Sequence, residues 1–462
     1  MFKLTLLPIF SIIKFSQMNY VLIRNGSVVS SAGIQISDVL IGNNKIIEIA
    51  QAIPRPDPET PVIDASGKYV LPGAIDTNRN FSEFGVVLKD EMLRLCRAQI
   101  IGGTTSMLEN LEPKNKMNSV EGIYLSKNRS AESIIDYGFH LSVNGWTGFS
   151  EKDLEYCFAH EGITTFSVQD LFEHEVAIEG LVSLMKKIKK LSLLLLVEVS
   201  HLEYVGSGYS GMSQTDDNTV STRLNQLGII LDKIVETGCT ACFLNISFKE
   251  ELDLIINAQK KHKIFAELTM PCYIGEGMDF IIDNKTVMHG FSLTRELTLI
   301  PYSQFWSLLK DEQFLAARPS LRVSSVDDSI DKQVFNRPDE YFVLKNALSV
   351  LYTSGVANDN ISISDFCNLT SEKPAKLMGL FPQKGIIRPG SDADIVIWDA
   401  DVDRNLYCSY PRNLKSEVSM SKLKGKAQFV FANGIMAYDG DVFYGENLKG
   451  QYIYRISAER ML

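Results

Sequence analysis

The chain has 462 residues, with 46 basic and 56 acidic side chains, a formal net charge of −10, and a hydrophobic fraction of 45%. These values are typical of a folded protein with a large core and exclude disorder as the main state. The negative charge, without a basic stripe, argues against a nucleic-acid partner. We predict that the short basic run from Lys186 to Lys190 is the solvated face of a helix.

Seven cysteines are too few, and odd in number, to indicate a disulfide framework. We therefore expect a reducing compartment, the cytoplasm. Cys239 and Cys242 form a CxxC, but no second pair and no paired histidines accompany it. Buried structural thiols are the better interpretation than a metal or redox site.

The first 17 residues are apolar but are interrupted by Lys14, and no small-residue cleavage pattern follows them. A membrane span needs about 20 uninterrupted apolar residues. We interpret residues 1–18 as an N-terminal extension, with Met1 and Met18 both open as the start, and expect no membrane association.

Strand patterns occur at both ends of the chain. Tyr20 to Ser30 predicts a short strand with a turn at Asn25-Gly26, and residues 38–49 predict a hairpin through Gly42-Asn43-Asn44. Residues 394–398 and 428–431 predict similar strands before an Asn433-Gly434 turn. The two ends together predict one small composite β-sandwich domain, formed by residues 19–68 and 386–455.

The middle of the chain, residues 69–385, alternates short apolar runs with helical stretches. This rhythm is typical of βα units in a parallel sheet, and eight such units predict a (β/α)8 barrel. The runs begin near Tyr69, Thr104, Phe139, Thr164, Leu193, Ala241, Lys263 and Gln313. The residues that follow each run matter most, because barrel chemistry sits at the carboxyl ends of the strands.

Three stretches resemble the amidohydrolase superfamily, and within it the dihydropyrimidinase/hydantoinase branch. They are Val70 to Asp76, Gly102-Gly-Thr-Thr105, and Lys373 to Gly385 together with Gly390 to Trp398. The resemblance extends from about Asn19 to Arg455. It implies the same barrel and composite β-sandwich that the strand pattern predicts.

The resemblance also implies where a metal site would lie. In active members, four histidines, a carbamylated lysine and an aspartate hold two zinc ions and move the proton. The matching positions here are Asn78, Asn80, Ser167, Glu198, Asn245 and Ser320. Phe172 takes the place of the tyrosine that would bind the substrate oxyanion. Arg79, between the first two positions, is expected to add positive charge where the dications would sit.

These replacements predict that the hydrolytic chemistry is lost. A carboxamide oxygen is a poor zinc ligand compared with imidazole, and Ser167 has no amine to carbamylate. Without metal there is no activated water, and without the aspartate there is no proton shuttle. We therefore expect no catalytic residues, no metal ligands and no cofactor.

Other chemistries find little support. The sequence has no Gly-x-Ser-x-Gly elbow and no Walker-type phosphate loop, and Gly206 to Gly211 is typical of a flexible loop. None of the six histidines forms a pair of ligand spacing. We expect His140 to be a satisfied barrel residue.

Two hypotheses remain. The first is a catalytically inactive homologue that works as an oligomeric scaffold or regulatory binding protein. It resembles the collapsin response mediator family, which implies a homotetramer with cytoskeletal or signalling protein partners. The second is a zinc-dependent hydrolase of cyclic amides with a rearranged site, for which Asp76, Glu198 and His201 are the candidate ligands.

Overall fold

A computed structural model describes residues 20–79, 89–111, 119–143, 151–168, 178–198, 217–268, 281–282, 286–287, 300–316, 340–406 and 421–457. These residues form two large sheets with helices around the second. No helix in the described ranges is long and apolar enough to cross a lipid bilayer. The predicted extension at residues 1–18 lies outside the described residues, as do the Gly206 to Gly211 loop and His201.

The first sheet is built from both ends of the chain. In spatial order its strands are β18, β17, β16, β5, β1, β2 and β3, and β4 also pairs with β1. Their bounds are β1 Tyr20–Ser30, β2 Gly33–Gly42, β3 Lys45–Ala50, β4 Val62–Asp64, β5 Tyr69–Pro72, β16 Ile395–Leu406, β17 Ser421–Ala432 and β18 Ile435–Tyr438. This is the predicted composite β-sandwich domain, with a core that includes Ile23, Val39, Ile397 and Phe431.

Two details of this sheet differ from the sequence prediction. Asn25-Gly26 does not reverse the chain, because the register shifts between Ile23 and Gly26 and β1 continues through a bulge. The apolar run at Tyr69 is not a barrel strand, because β5 pairs with β16 and with β1 of the sandwich sheet. The predicted hairpin turn is confirmed, and Asn43 and Asn44 both adopt positive φ there.

The second sheet is parallel, and its eight strands follow one another in chain order, forming the predicted (β/α)8 barrel. The strands are β6 Ala74–Arg79, β7 Thr104–Leu111, β8 Asp136–Ser142, β9 Thr165–Val168, β10 Leu194–Glu198, β11 Ala241–Ile246, β12 Ile264–Leu268 and β15 Phe314–Ala316. A short hairpin, β13 Ile281–Ile282 and β14 Thr286–Val287, lies between the last two. Seven of the predicted barrel runs are confirmed, and the first strand begins at Ala74.

Helices alternate with these strands. They are α1 Lys89–Gly102, α2 Ser119–Ser130, α3 Glu151–Glu161, α4 Ile178–Lys190, α5 Asp217–Thr237, α6 Lys249–Gln259, α7 Tyr302–Leu309, α8 Glu340–Gly355, α9 Ile363–Cys367 and α10 Lys373–Leu377. Ser362 and Asp365 form a capping box at the start of α9, and a π-helical turn at Asn368–Glu372 joins α9 to α10. In α4, Ile188 is buried while Lys186, Lys189 and Lys190 are exposed, as predicted for a solvated face.

The barrel interior is apolar towards the amino ends of its strands. Ile75, Leu108, Leu196, Cys242 and Phe265 pack there against a plug formed by Ala375, Leu377, Met378, Leu380 and Ile453. The plug fits closely, because a Cβ at Gly379 would lie 1.9 Å from the Ile456 carbonyl oxygen. One end of the barrel is therefore sealed, and polar side chains gather towards the other end.

Candidate functional site

Polar residues of β7, β9, β10 and β11 are buried near the carboxyl ends of the strands. Ser167 donates its hydroxyl to the Asn110 side-chain oxygen at 2.6 Å, across the intervening strand β8. Asn245 donates its amide nitrogen to the Glu198 carboxylate at 2.7 Å. All four side chains are at most 7% exposed. The polar groups at these positions are therefore tied to one another, in pairs that span different strands.

The backbone at Asn245 shows why this residue type suits its position. Its φ is +57°, in the left-handed region that asparagine tolerates better than most residues. The β11–β12 register also shifts between Phe243 and Ile246. This irregularity occurs at the end of the strand, where it orients the Asn245 amide towards Glu198 on the neighbouring strand.

The residues after the first barrel strand are arranged differently from the expectation. Arg79 forms a 2.7 Å ion pair with Asp76, and Gln99 of α1 donates to the same carboxylate at 2.9 Å. Burial raises the pKa of the Cys96 thiol in α1, and the Arg79 charge opposes this. The positive charge of Arg79, which was expected at the metal position, is thus compensated by the Asp76 carboxylate next to α1.

Asn78 is half-buried at the end of β6. Of the seven family positions, Asn78, Ser167, Glu198 and Asn245 are described. Asn80, Phe172 and Ser320 lie outside the described residues, and their assignments stay predictions.

His140 is held by neutral groups on both ring nitrogens, as expected for a barrel residue. Nδ1 contacts the Thr165 hydroxyl, and Nε2 lies 2.7 Å from the Thr77 carbonyl oxygen. The Arg455 guanidinium donates to the same Thr165 hydroxyl at 2.9 Å. Burial and the Arg455 charge lower the pKa of His140 to about 3, although the Thr77 contact opposes this. The imidazole is therefore neutral at neutral pH.

Glu267 at the end of β12 is a residue that the sequence analysis did not select. Its carboxylate is 4% exposed and accepts a hydrogen bond from the Thr77 hydroxyl at 3.4 Å. It directly follows the apolar run from Ile264 to Ala266. The rule that the residues after each run matter most would have found it, had it been applied to the seventh strand.

The CxxC cysteines are both buried, which agrees with their interpretation as structural thiols. The Cys239 thiol contacts the Thr240 carbonyl oxygen, and burial together with Glu267 raises the pKa of Cys242 well above its ordinary value. A thiol held protonated in this way is a poor nucleophile and a poor metal ligand.

One group of three ligand-type side chains lies close together in the described part of the chain: Asp136, Asp392 and Asp394. The Lys384 ammonium already occupies their centre, 2.5 Å from Asp136, 2.5 Å from Asp394 and 2.9 Å from Asp392. Burial alone would lower the pKa of Lys384, but the three carboxylates raise it above its ordinary value. This lysine cluster joins the barrel to the sandwich, and the Lys384 ammonium stands where a metal ion would otherwise bind the three carboxylates.

The described donor set does not fit the zinc pair that the fold family implies. Structural and catalytic zinc sites use at least three histidine, cysteine or carboxylate ligands. Of the four described family positions, only Glu198 carries such a ligand group. The Asn245 amide on the neighbouring strand donates a hydrogen bond to its carboxylate. Asp76, proposed as a ligand of a rearranged site, accepts from Arg79 and Gln99 beside α1.

Comparison with known proteins agrees with the fold and the motifs. The amidohydrolase family model matches residues 325–436. Dihydropyrimidinase from Arabidopsis thaliana is 25% identical over 94% of this chain and 85% of its own length. Human dihydropyrimidinase-related protein 5 is 22% identical, covering 84% of this chain and 72% of the relative.

A solved structure gives the same result. The crystal structure of dihydropyrimidinase from Brevibacillus agri NCHU1002 superposes with a TM-score of 0.76 at 25% identity, covering 95% of this chain and 99% of that one. The chain is therefore similar to the amidohydrolase family, and within it both to dihydropyrimidinases and hydantoinases and to dihydropyrimidinase-related proteins.

Proposed function

We propose that this protein is a catalytically inactive member of the amidohydrolase superfamily, similar to dihydropyrimidinase, that acts as an oligomeric scaffold or regulatory binding protein. One observation supports this best. Where the family's metal ligands would stand, Ser167 and Asn245 donate hydrogen bonds to Asn110 and Glu198. Neither side chain is a strong zinc ligand, because Ser167 has no amine to carbamylate and Asn245 has a carboxamide in place of an imidazole.

The energetics of these pairs support the same conclusion. A buried carboxylate without compensation is costly, and Asn245 offers Glu198 a donor in the place of a metal ion. The Ser167–Asn110 pair is neutral and needs no charge compensation. A barrel with these pairs is stable without a dication, and it lacks the means to lower the pKa of a water molecule from about 15.7 to about 7.

The partners and location follow from the resemblance. We propose a cytoplasmic homotetramer with cytoskeletal or signalling protein partners, as in the collapsin response mediator proteins. The five described cysteines are buried, which is consistent with a reducing compartment.

The test is metal content combined with turnover. We expect protein purified without chelator to contain far less than one zinc per chain, and to open neither dihydrouracil nor hydantoin. Addition of zinc should leave the melting temperature unchanged, whereas a metal bound at 100 times its Kd stabilises by about 2.7 kcal/mol. Differential scanning calorimetry with and without zinc measures this.

An active dihydropyrimidinase, assayed in parallel, serves as the control for both substrates. Stoichiometric zinc together with ring opening that a chelator abolishes would contradict the proposal and favour the rearranged hydrolase.

A further inference from the structure

The tip of the β1–β2 hairpin, residues 26–37, differs from the rest of the surface in its charge. Its sequence, GSVVSSAGIQIS, has no ionisable side chain in a chain that carries 22% charged residues. Ile34 is 51% exposed and Ile36 is 69% exposed. Exposed, uncharged β-branched strands of this kind are normally covered or protected by charge.

The outer edge of this tip is also open. On its inner side, β2 pairs with β1 from Gly33 to Gly42. On its outer side, β3 pairs only with Asp38 to Gly42. In the described ranges, no strand pairs with the outer side of residues 33–37. A lysine, a proline or a bulge commonly prevents such an edge from pairing with another strand. Residues 33–37 contain no lysine or proline.

The edge sequence is self-complementary. Residues 33–37 read Gly-Ile-Gln-Ile-Ser, which is nearly the same in both directions about Gln35. In an antiparallel pair of two such strands centred on Gln35, Ile34 of one copy lies opposite Ile36 of the other, on the same face. A two-fold axis that passes at Gln35, perpendicular to the strands, produces this arrangement.

We propose that the open edge of the hairpin tip pairs with the same edge of a second copy of this chain. Charge favours this occupant, because two copies that each carry −10 can approach here without opposing like charges or desolvating an ion. The chain's own N-terminal segment is the alternative occupant. Tyr20 pairs with Gly42, so this segment would have to extend roughly 30 Å along β2 to reach Gly33.

This inference rests on the oligomer part of the proposed function and names one of its contacts. Five residues from each copy fall short of the roughly 1,600 Å² that a standard stable interface buries. We therefore expect this contact to be a weak association step, which depends on protein concentration.

Sedimentation velocity over a concentration series tests the proposal with Ile36→Lys. Each copy loses one isoleucine contact, and each loss is worth about a factor of ten, so association at this edge should weaken roughly 100-fold. Ile36→Val should associate like the wild type. Ile47→Lys is the matched control, because Ile47 is 43% exposed on β3, outside the tip.

A cross-link tests the register. Gln35→Cys places two thiols at the two-fold axis, where paired Cα atoms lie about 4.5–5.5 Å apart and a disulfide can form. Mild oxidation should give a covalent dimer whose linked peptide, identified by mass spectrometry, joins residue 35 to residue 35. Ile47→Cys should give none.

Three outcomes overturn the proposal. If the oligomer persists with Ile36→Lys and no 35–35 link forms, this surface is wrong while the oligomer stands. If the wild type is a monomer at every concentration, the oligomer part of the proposed function fails as well. If deletion of residues 1–18 creates a new association that Ile36→Lys abolishes, the N-terminal segment is the occupant.

Discussion

Two buried polar regions of this protein handle charge in opposite ways. At the seam between the barrel and the sandwich, Lys384 lies among Asp136, Asp392 and Asp394, so four charges are buried together. At the carboxyl ends of the barrel strands, Ser167 and Asn110 form a neutral pair. The seam keeps its charges because the Lys384 ammonium contacts all three aspartates, whereas Ser167 and Asn110 carry no charge and Glu198 accepts a hydrogen bond from the neutral Asn245 amide.

The comparison shows which buried groups can be replaced. A buried ion cluster is stable while each charged group contacts an opposite charge. Removal of the ammonium leaves the buried carboxylates without compensation. A neutral hydrogen-bonded pair loses much less when one member is removed. Measurements that remove one group at a time should separate the two regions.

The largest effect is expected at the seam. Lys384→Met removes the ammonium that contacts all three aspartates and should lower the free energy of unfolding by about 3–5 kcal/mol. Urea denaturation followed by circular dichroism measures it. Lys45→Met is the control, because Lys45 bonds Asp392 from a side chain that is 43% exposed, and it should cost no more than about 1 kcal/mol. Equal losses would show that the buried cluster does not hold the domains together.

A pH-dependent effect of intermediate size is expected from His140. Its pKa is about 3 in the folded protein and about 6.5 in the unfolded chain, so only the unfolded chain takes up the proton between these values. The neutral imidazole's contribution to the free energy of unfolding is complete well above pH 6.5. It declines by about 1.4 kcal/mol per pH unit between pH 6.5 and pH 3, and is lost below pH 3.

The measurement compares the wild type with His140→Asn, because acidic groups also titrate in this range. Between pH 6.5 and 4.5 the wild type should lose about 2.3 kcal/mol more than the variant, because the unfolded imidazole is already half protonated at pH 6.5. Parallel stability curves for the two proteins would contradict the neutral, buried imidazole.

A smaller effect is expected at the strand ends. Asn245→Ala removes the donor to Glu198 and places a Cβ-bearing residue without a polar side chain at φ +57°, which should cost about 1–3 kcal/mol. Asn245→Gly loses the same hydrogen bond without the backbone strain, so it should be the more stable of the two. If alanine and glycine have equal effects by urea denaturation, the backbone strain is negligible.

The β-sandwich and the barrel could be predicted from the sequence because local patterns define them. The apolar runs at Thr104, Leu193 and Ala241 begin within one residue of strands β7, β10 and β11. The run at Tyr69 was assigned to the wrong sheet, since an apolar strand looks alike in either domain. It pairs with β16, more than 300 residues later in the chain, and sequence periodicity does not reveal such long-range contacts.

The candidate site could be predicted only as a set of positions. The family resemblance predicts that Ser167 and Asn245 stand where a zinc site would need ligands, but the sequence does not show that Asn110 and Glu198 accept their hydrogen bonds. Arg79 was expected to oppose metal binding directly, and its ion pair with Asp76 depends on how β6 lies against α1. The Lys384 cluster brings together residues from position 136 to position 394, so no local motif indicated it.

The sequence by itself determined the barrel, the composite β-sandwich and the resemblance to amidohydrolases, because each follows from residue identity at neighbouring or motif-spaced positions. Only the tertiary structure decided which buried polar groups compensate one another and which edge stays open. Hydrogen bonds and ion pairs act over about 3 Å, and their partners on different strands are separated by tens to hundreds of residues along the chain.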